Sequence, residues 1–92
     1  MIRLGTNKDI AKILELGNTN FNLTKFSRKK LLNKYCMFLY DDLSIVKAYL
    51  IGEIISEEFH VYEIFIGKQF RGCNIGSLLM EYIIKFCKKN NI

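Results

Sequence analysis

The chain has 92 residues, of which 50% are hydrophobic and 25% are charged. This length and balance favour one globular domain over residues 1–92 and exclude a chain that is disordered throughout. The net charge is +5, with an acidic stretch at 35–67 between basic stretches at 24–34 and 68–92. Such a distribution suits nucleic acid, an anionic cofactor or solvated helix faces, but only three of the fourteen cations are arginine and no RNA- or DNA-reading motif is present. We therefore expect no nucleic-acid partner.

The sequence also predicts the compartment of the protein. No apolar run is long enough to cross a membrane, and the N-terminal residues lack the hydrophobic segment of a signal peptide. The cysteines are Cys36, Cys73 and Cys87, without a C-x-x-C pair, and the only histidine is His60. We expect a cytoplasmic protein with reduced thiols, no metal site and no membrane partner.

The first elements are a short strand and a short helix. Residues 1–4 have strand character, and Thr6 begins a capping box in which Asp9 replaces the usual Glu. Apolar residues then recur at the helical spacing in Ile10, Ile13 and Leu14. This helix is predicted to end at Gly17.

A second short, basic helix is predicted from Thr24 or Ser27 to about Asn33. Residues 35–40 and 45–55 then read as two antiparallel strands of a hairpin that turns through 41–44. A third strand at 59–66 is apolar on both faces, which predicts a central position in the sheet.

The strongest helical pattern begins at Ile75. Its apolar residues follow the i, i+3, i+4, i+7 spacing at Ile75, Leu78, Leu79, Tyr82, Ile83 and Phe86. The predicted order is β-α-α-β-β-β-α, and the fold class is α/β with a mixed sheet.

A glycine-rich connection at 67–77 joins the third predicted strand to this helix. It contains three glycines, two cations and Asn74. A strand, a glycine-rich turn and a helix form an arrangement that binds phosphate, because the first-turn N–H groups of the helix attract anions. A plain β-α turn has the same composition, so both interpretations stay open here. The spacing fits neither a Walker P-loop nor a dinucleotide fingerprint.

Residues 71–76 resemble the acetyl-CoA motif of the GNAT superfamily of N-acetyltransferases, Gln/Arg-x-x-Gly-x-Gly/Ala. The flanking stretches 63–66 and 77–80 are also similar to the family's strand and helix. An alignment that starts at Gln69 misses the final small residue and shifts the helix out of phase. The preferred alignment departs from the motif only at Asn74, and asparagine tolerates the left-handed backbone well.

This resemblance implies an acetyl-CoA site and an acceptor amine of unspecified class. The residues that would hold the pyrophosphate are those of the loop, namely Arg71, Gly72, Cys73, Asn74, Ile75, Gly76 and Ser77. The backbone at Phe65 and Ile66 would pair with the pantetheine arm. Cys73 has no patterned basic partner and is predicted to be passive.

Two residues are candidates for the base that takes the proton of the attacking amine. Glu63 matches an acidic position of the family, and two-residue alternation would place it on one face with Phe59, Val61 and Phe65. A carboxylate that anchors the amine, or that merely lies on the surface, is the alternative interpretation of Glu63. His60 lies where some relatives carry the base, although a lone histidine is more often structural.

The resemblance covers the first part of a typical GNAT fold, and we expect a truncated domain because another strand would follow Ile92 in that fold. A non-enzymatic remnant or interaction module is the competing interpretation. In either case the apolar strand at 59–66 would leave an unpaired edge, which predicts a homodimer that pairs these edges or exchanges the C-terminal helix.

Overall fold

The computed structural model describes residues 1–16 and 34–92. Its strands are β1 (Ile2–Leu4), β2 (Cys36–Asp42), β3 (Ile45–Ile55) and β4 (Glu58–Ile66), and its helices are α1 (Ile10–Leu16) and α2 (Ile75–Lys89). Short 3-10 turns at Asn7–Asp9 and Lys68–Phe70 precede the two helices. The predicted α/β class is confirmed, and the helix predicted within 24–33 lies outside the described residues.

The four strands form one sheet in the order β1-β2-β3-β4, and every neighbouring pair is antiparallel. The core lies on both faces of this sheet. On one face, Tyr49 and Ile51 of β3 pack in a cluster with residues of α1. On the other face, Ala48 and Leu50 pack in a cluster with residues of α2. This alternation along β3 is what allows helices to cover both faces of the sheet.

Two tight turns set the pairing of the three long strands. The central residues of the β2–β3 turn, Leu43 and Ser44, both have positive φ, as do those of the β3–β4 turn, Ser56 and Glu57. Positive φ at both positions is the pattern of a type I′ turn, whose twist matches that of the strands it joins. The predicted connection at 41–44 is confirmed, and both turns have non-glycine residues in the strained positions.

A carboxylate joins β1 and β2 to the start of α1. Asp9 accepts hydrogen bonds from the Thr6 backbone N–H at 2.8 Å and from two guanidinium nitrogens of Arg3 at 2.8 Å each. The Arg3 Nε also donates to Asp41 at 2.8 Å. The hydrogen bonds from Arg3 hold the pKa of Asp9 well below its usual range and raise the pKa of Arg3. Asp9 therefore fills the capping role that the sequence predicted.

The position of β4 corrects the expectation of a central strand. Among the described residues β4 has β3 as its only neighbour, so it lies at the edge of the sheet. Its apolar residues Val61 and Ile64 are 41% and 37% exposed. After β4 the chain passes through the glycine-rich loop and forms α2, which covers one face of the sheet. The apolar residues on the two faces of β4 are therefore not all buried.

Candidate functional site

The glycine-rich loop borders an open cavity of about 380 Å³ between the end of β4 and the start of α2. The residues around it come from both elements and from the loop, namely Ile66, Phe70, Arg71, Gly72, Asn74, Ile75, Gly76 and Ser77. Most of the residues predicted from the sequence to hold a cofactor therefore meet at one concave site. Cys73 is exposed and does not line this cavity.

Two backbone conformations shape the loop. Gly72 has φ +87°, and Asn74 has φ 64° and ψ 18°, which is the left-handed region. The structure thus confirms that asparagine adopts the left-handed conformation at the position where the motif has glycine. Asn74 precedes α2, but its side chain makes no capping hydrogen bond to the first turn. The positive end of the helix is consequently not neutralised by its own N-cap.

Packing explains why the last residue of the motif, Gly76, is small. A Cβ atom on Gly76 would lie 3.2 Å from Cδ1 of Ile66. This is closer than an ordinary van der Waals contact, so a Cβ atom at this position would require the end of the Ile66 side chain to shift. Gly76 keeps the first turn of the helix close to the strand and to the cavity.

Arg71 is fixed against the end of β4. Its Nε donates a hydrogen bond of 3.1 Å to the carbonyl oxygen of Ile66, and its guanidinium carbon lies 5.6 Å from the centroid of the Phe65 ring. Phe65 is itself stacked on Tyr49, with 5.7 Å between the ring centroids. The arginine is therefore held at the rim of the cavity by a backbone acceptor and an aromatic face.

The pairing of β4 with β3 decides which backbone groups face the free edge. The N–H of Gly67 donates to the carbonyl oxygen of Lys47 at 2.8 Å. Since antiparallel residues alternate in the direction of their backbone groups, Phe65 is also directed toward β3, whereas Ile64 and Ile66 are directed away from it. The two residues predicted to pair with a pantetheine arm therefore differ. The backbone groups of Ile66 face the free edge, whereas those of Phe65 face β3 and its ring contacts Arg71.

A β-bulge near the middle of β4 changes the faces predicted by simple alternation. Glu63 lies opposite Ile51 and Val61 lies opposite Gly52, so Tyr62 is the extra residue. Directly opposed residues share a face. Glu63 and Phe65 therefore face the side of α1, and the expectation that Phe59 and Val61 share that face is wrong, because the bulge reverses their direction.

The bulge also brings together a hydrogen-bonded pair that the sequence did not reveal. The Tyr62 hydroxyl donates to Oε1 of Glu53 at 2.6 Å, and this hydrogen bond raises the pKa of Tyr62 to about 12. The only sequence signal for the bulge was Gly52, since glycine inside a strand often marks one. A Cβ atom there would lie 2.6 Å from the carbonyl oxygen of His60, so the bulged strand needs this glycine.

His60 lies apart from the glycine-rich loop. It sits opposite Glu53 near the β3–β4 turn, and its Nε2 is 3.9 Å from Oε1 of Glu58. It lies six positions before Ile66, or about 20 Å along a strand. Glu63 is half that distance away and only partly exposed. Of the two candidate bases, Glu63 is the nearer to the cavity along the strand, although it does not line the cavity.

Two further features concern cofactors and membranes. Within 1–16 and 34–92, no group of three or more His, Cys, Asp and Glu side chains is arranged to hold a metal ion. In the same part of the chain, no helix has the length and hydropathy needed to span a membrane.

Burial raises the pKa of the Cys36 thiol, so this cysteine is poorly suited to act as a nucleophile.

The sequence pattern described as "Acetyltransferase (GNAT) domain" matches residues 16–92, which include β2 to α2 and the whole cavity. The chain belongs to the GNAT acetyltransferase family. The resemblance found in the sequence is thereby confirmed, and the general chemistry of the family is acetyl transfer. A search among curated proteins gave no match.

Solved structures share the fold of this GNAT domain. The PaiA N-acetyltransferase from Thermoplasma acidophilum, in complex with coenzyme A, matches 100% of this chain and 75% of its own, with a TM-score of 0.82 and 16% identity. The ribosomal-protein-S18-alanine N-acetyltransferase from Escherichia coli matches 98% of this chain and 61% of its own, with a TM-score of 0.78 and 16% identity. The BH1408 protein from Bacillus halodurans, as a tetramutant, matches 100% and 78%, with a TM-score of 0.75 and 15% identity. At 15% to 16% identity, the similarity to these structures shows a shared fold.

Proposed function

We propose that this GNAT domain binds acetyl-CoA and transfers its acetyl group to an amine. The observation that carries the proposal is the cavity between β4 and α2, in which the family's motif lines a concave site at a helix N-terminus. The ligand in the crystal structure of the Thermoplasma acidophilum relative is coenzyme A, which supports the same class of cofactor here. The acceptor is assigned only as an amine.

The pyrophosphate of the cofactor would bind at the acetyl-CoA loop (71–77). The first-turn N–H groups of α2 and the positive end of its dipole favour an anion, and Gly72 and Gly76 leave space for it. Arg71 adds a full positive charge at the rim of the cavity. Cys73, which is exposed, would contribute only its backbone.

The pantetheine arm and the thioester would lie along the free edge of β4. The backbone groups of Ile64 and Ile66 are directed away from β3, so they are placed to bond an extended ligand. An N–H on this edge would also donate to the thioester oxygen as the amine attacks the carbonyl carbon. The carbon–sulfur bond then breaks, and coenzyme A leaves as a thiolate that takes up a proton.

Glu63 is the residue proposed to accept the proton of the attacking amine. It lies three residues before Ile66, on the α1 face of the sheet, and is partly buried. If Glu63 instead anchors the ammonium group, it would affect binding of the amine and not proton transfer. His60 is the second candidate, and its distance from the loop makes it the weaker one.

The Glu63→Gln variant distinguishes these roles. Release of the coenzyme A thiol from acetyl-CoA is followed with a set of primary amines, from pH 6 to pH 9. As a base, Glu63 would be worth about a hundredfold in kcat, with little change in KM. As an anchor, it would change the KM for the amine and leave kcat near its original value.

The matched control is Glu81→Gln, which removes an exposed carboxylate of α2 outside the cavity. This variant should react like the unmodified chain. Full activity of Glu63→Gln at every pH would remove Glu63 from the reaction and leave His60, tested by His60→Gln, as the base.

The second candidate function is a non-enzymatic interaction module that forms a homodimer. The observation that favours it is the edge position of β4, where Val61 and Ile64 are exposed in a strand with a single neighbour among the described residues. Two copies would pair their β4 edges about a two-fold axis. Light scattering from micromolar to millimolar concentration tests this: a mass of twice that of one chain is expected, and a constant monomeric mass would exclude the dimer.

A further inference from the structure

A second cavity, of about 910 Å³, lies beside the acetyl-CoA loop. It opens between the end of α1, the β2–β3 turn and the 3-10 turn that follows β4. Its volume is within the usual range for a site that holds a small molecule, about 300 to 1,000 Å³. The proposed function leaves this cavity free, because the cofactor is assigned to the first cavity and to the free edge of β4.

The two cavities lie toward opposite faces of the sheet. Leu16 and Val46, which line the second cavity, pack against the core cluster on the α1 face. Ile66 and Ile75, which line the first cavity, pack in the cluster on the α2 face. Residues 70–71 line both cavities and form the wall between them.

The proposed base faces the side of the second cavity. Glu63 and Phe65 are both directed toward the α1 face, because of the bulge in β4. Arg71 continues this row toward the cavity, since its guanidinium carbon lies 5.6 Å from the centroid of the Phe65 ring. An amine that meets Glu63 therefore approaches β4 from the face on which the second cavity opens. This placement suits the acceptor and not the cofactor, which is assigned to the first cavity.

The lining of the second cavity carries an excess of positive charge. Lys12 of α1 and Lys68 of the 3-10 turn line it together with Arg71, whereas Glu15 is the one carboxylate among its lining residues within 1–16 and 34–92. In the same ranges, neither lysine takes part in a salt bridge. A concave site with such an excess concentrates anions. Since Arg71 is assigned to the pyrophosphate, the two lysines are the groups left to bind a second anion.

The cavity also offers an apolar surface. Leu16, Ile45 and Val46 line it together with the ring of Phe70. This ring is held in place, because the Phe70 N–H donates to the Gly67 carbonyl oxygen at 2.8 Å and the ring packs against the Gly67 backbone. A ligand with an apolar body and a charged end matches this combination of side chains.

The separation between Glu63 and the cavity sets the length of the acceptor. Gly67 lines the cavity and lies four positions after Glu63, or about 13 Å along an extended chain. A fully extended peptide of three residues spans about 10 Å. The flexible stem of a lysine in the lining covers the remaining distance.

We infer that the second cavity binds the anionic end of the acceptor. The substrate is then an amine with an apolar body and a negatively charged group about 10 Å from the reacting nitrogen. Lys12 and Lys68 bind the charged group, and the apolar lining contacts the body of the substrate. The inference rests on the proposed function, because it takes Glu63 to meet the amine.

The test compares acceptors that differ only at one end. The peptide Gly-Leu-Leu ends in a carboxylate, its amide is neutral there, and its phosphonate analogue carries a phosphate-like group instead. Release of the coenzyme A thiol from acetyl-CoA gives kcat and KM for each peptide with the full chain. We expect both anionic peptides to have a KM about tenfold lower than that of the amide, with a similar kcat, because the contact is present before and during the reaction. The lower KM of the two shows whether the lysines prefer a carboxylate or a phosphate.

A pair of charge-matched variants locates the effect. Lys12→Ala/Lys68→Ala should remove the difference in KM between Gly-Leu-Leu and its amide. Lys88→Ala/Lys89→Ala, which removes two exposed lysines at the end of α2, should keep the tenfold difference. Isothermal titration of the two peptides in the presence of coenzyme A gives the same comparison without turnover.

Three results would overturn the inference. Equal KM values for Gly-Leu-Leu and its amide in the unmodified chain overturn it alone, since acetyl transfer itself is then intact. A difference that survives in Lys12→Ala/Lys68→Ala, with a weaker affinity for acetyl-CoA, shows that the cavity serves the cofactor instead. Absence of thiol release with every amine contradicts the proposed function, and the inference falls with it.

Discussion

Arg71 and Ile66 are joined by a hydrogen bond of 3.1 Å from the guanidinium Nε to the backbone carbonyl oxygen. The carbonyl of Ile66 is directed away from β3, so the last residue of the edge strand orients the arginine of the acetyl-CoA loop. Ile66, whose backbone is proposed to bind the pantetheine arm, therefore also holds Arg71, which is proposed to bind the pyrophosphate.

Removal of this arginine should weaken the cofactor site. We expect Arg71→Ala to reduce the affinity for acetyl-CoA by about tenfold, because a charge-assisted contact to phosphate is lost. Arg71→Lys keeps the charge but cannot reproduce the planar fork, so an intermediate affinity is expected. Isothermal titration measures both. Unchanged affinity in Arg71→Ala would place the phosphates elsewhere.

Asn74 should be replaceable by glycine but not by alanine. Its φ of 64° costs a residue with a Cβ and without a local polar group about 1 kcal/mol. Asn74→Ala should therefore lower the free energy of unfolding by about that amount, and Asn74→Gly should leave it near its original value. Urea unfolding followed by circular dichroism measures the difference.

The matched control for Asn74 is Asn91, which follows α2 and has φ 58°. Asn91→Ala should also lower the free energy of unfolding, since φ is positive there too. It should not change the affinity for acetyl-CoA, whereas distortion of the loop in Asn74→Ala should reduce it. Equal cofactor affinity in the two alanine variants would argue that the conformation of the loop at Asn74 is irrelevant to binding.

The contacts between Arg3 and Asp9 should make stability depend on pH in the acidic range. The pKa of Asp9 in the folded chain is held well below its unfolded value, so the stabilisation is present above about pH 4 and is lost as the pH falls toward the folded pKa. We expect Asp9→Asn to lower the free energy of unfolding by about 2 kcal/mol at pH 7, with a much smaller difference at pH 2. Urea unfolding at several pH values tests this.

An exposed ion pair provides the control for Asp9. Asp42 accepts from Lys47 at 3.2 Å and its side chain is 53% exposed, so Asp42→Asn should cost less than about 1 kcal/mol. Equal losses in the two variants at pH 7 would contradict the structural role assigned to Asp9.

The sequence was sufficient to predict the parts of the fold that follow from local patterns. The turn at 43–44, the capping residue Asp9 and the left-handed Asn74 each depend on a few neighbouring residues. The motif at 71–77 likewise defined the cavity, because a strand, a glycine-rich turn and a helix are contiguous in the chain. Local chemistry was therefore enough for the loop.

The features that the sequence did not predict depend on pairing between strands. The bulge at Tyr62 arises from the register of β3 against β4, and it moved Phe59 and Val61 to the face opposite Glu63. A cavity of about 910 Å³ lies where α1, the β2–β3 turn and residues 67–71 meet, and these segments are far apart in the sequence. An apolar pattern on both faces of a strand could not distinguish an edge position from a central one.

The hydrogen bond across the bulge should be visible in a titration. The pKa of Tyr62 is raised to about 12 by the hydroxyl's hydrogen bond to Glu53, and this stabilises the folded chain below about pH 10 and is lost as the pH rises through 12. Glu53→Gln removes the negative charge and should lower the pKa of Tyr62 toward 10. Phenolate absorbance, taken as the difference from the corresponding Tyr62→Phe variants, follows this residue alone.

The control for Glu53 is Glu58→Gln, which removes an exposed carboxylate near the same turn. It should leave the titration of Tyr62 unchanged. If Glu53→Gln also leaves it unchanged, the phenol is not held by Glu53 in solution, and the bulge does not fix this pair.

The thermal melting curve of the chain with and without millimolar acetyl-CoA tests the central claim most directly. A ligand that binds the folded chain at a hundredfold excess over its Kd adds about 2.7 kcal/mol of stability, which raises the Tm of a domain of this size by more than about 10 °C. We expect such a rise in the unmodified chain and a smaller one in Arg71→Ala. An unchanged melting curve at millimolar acetyl-CoA would contradict the assignment of this GNAT domain as an acetyl-CoA-dependent enzyme.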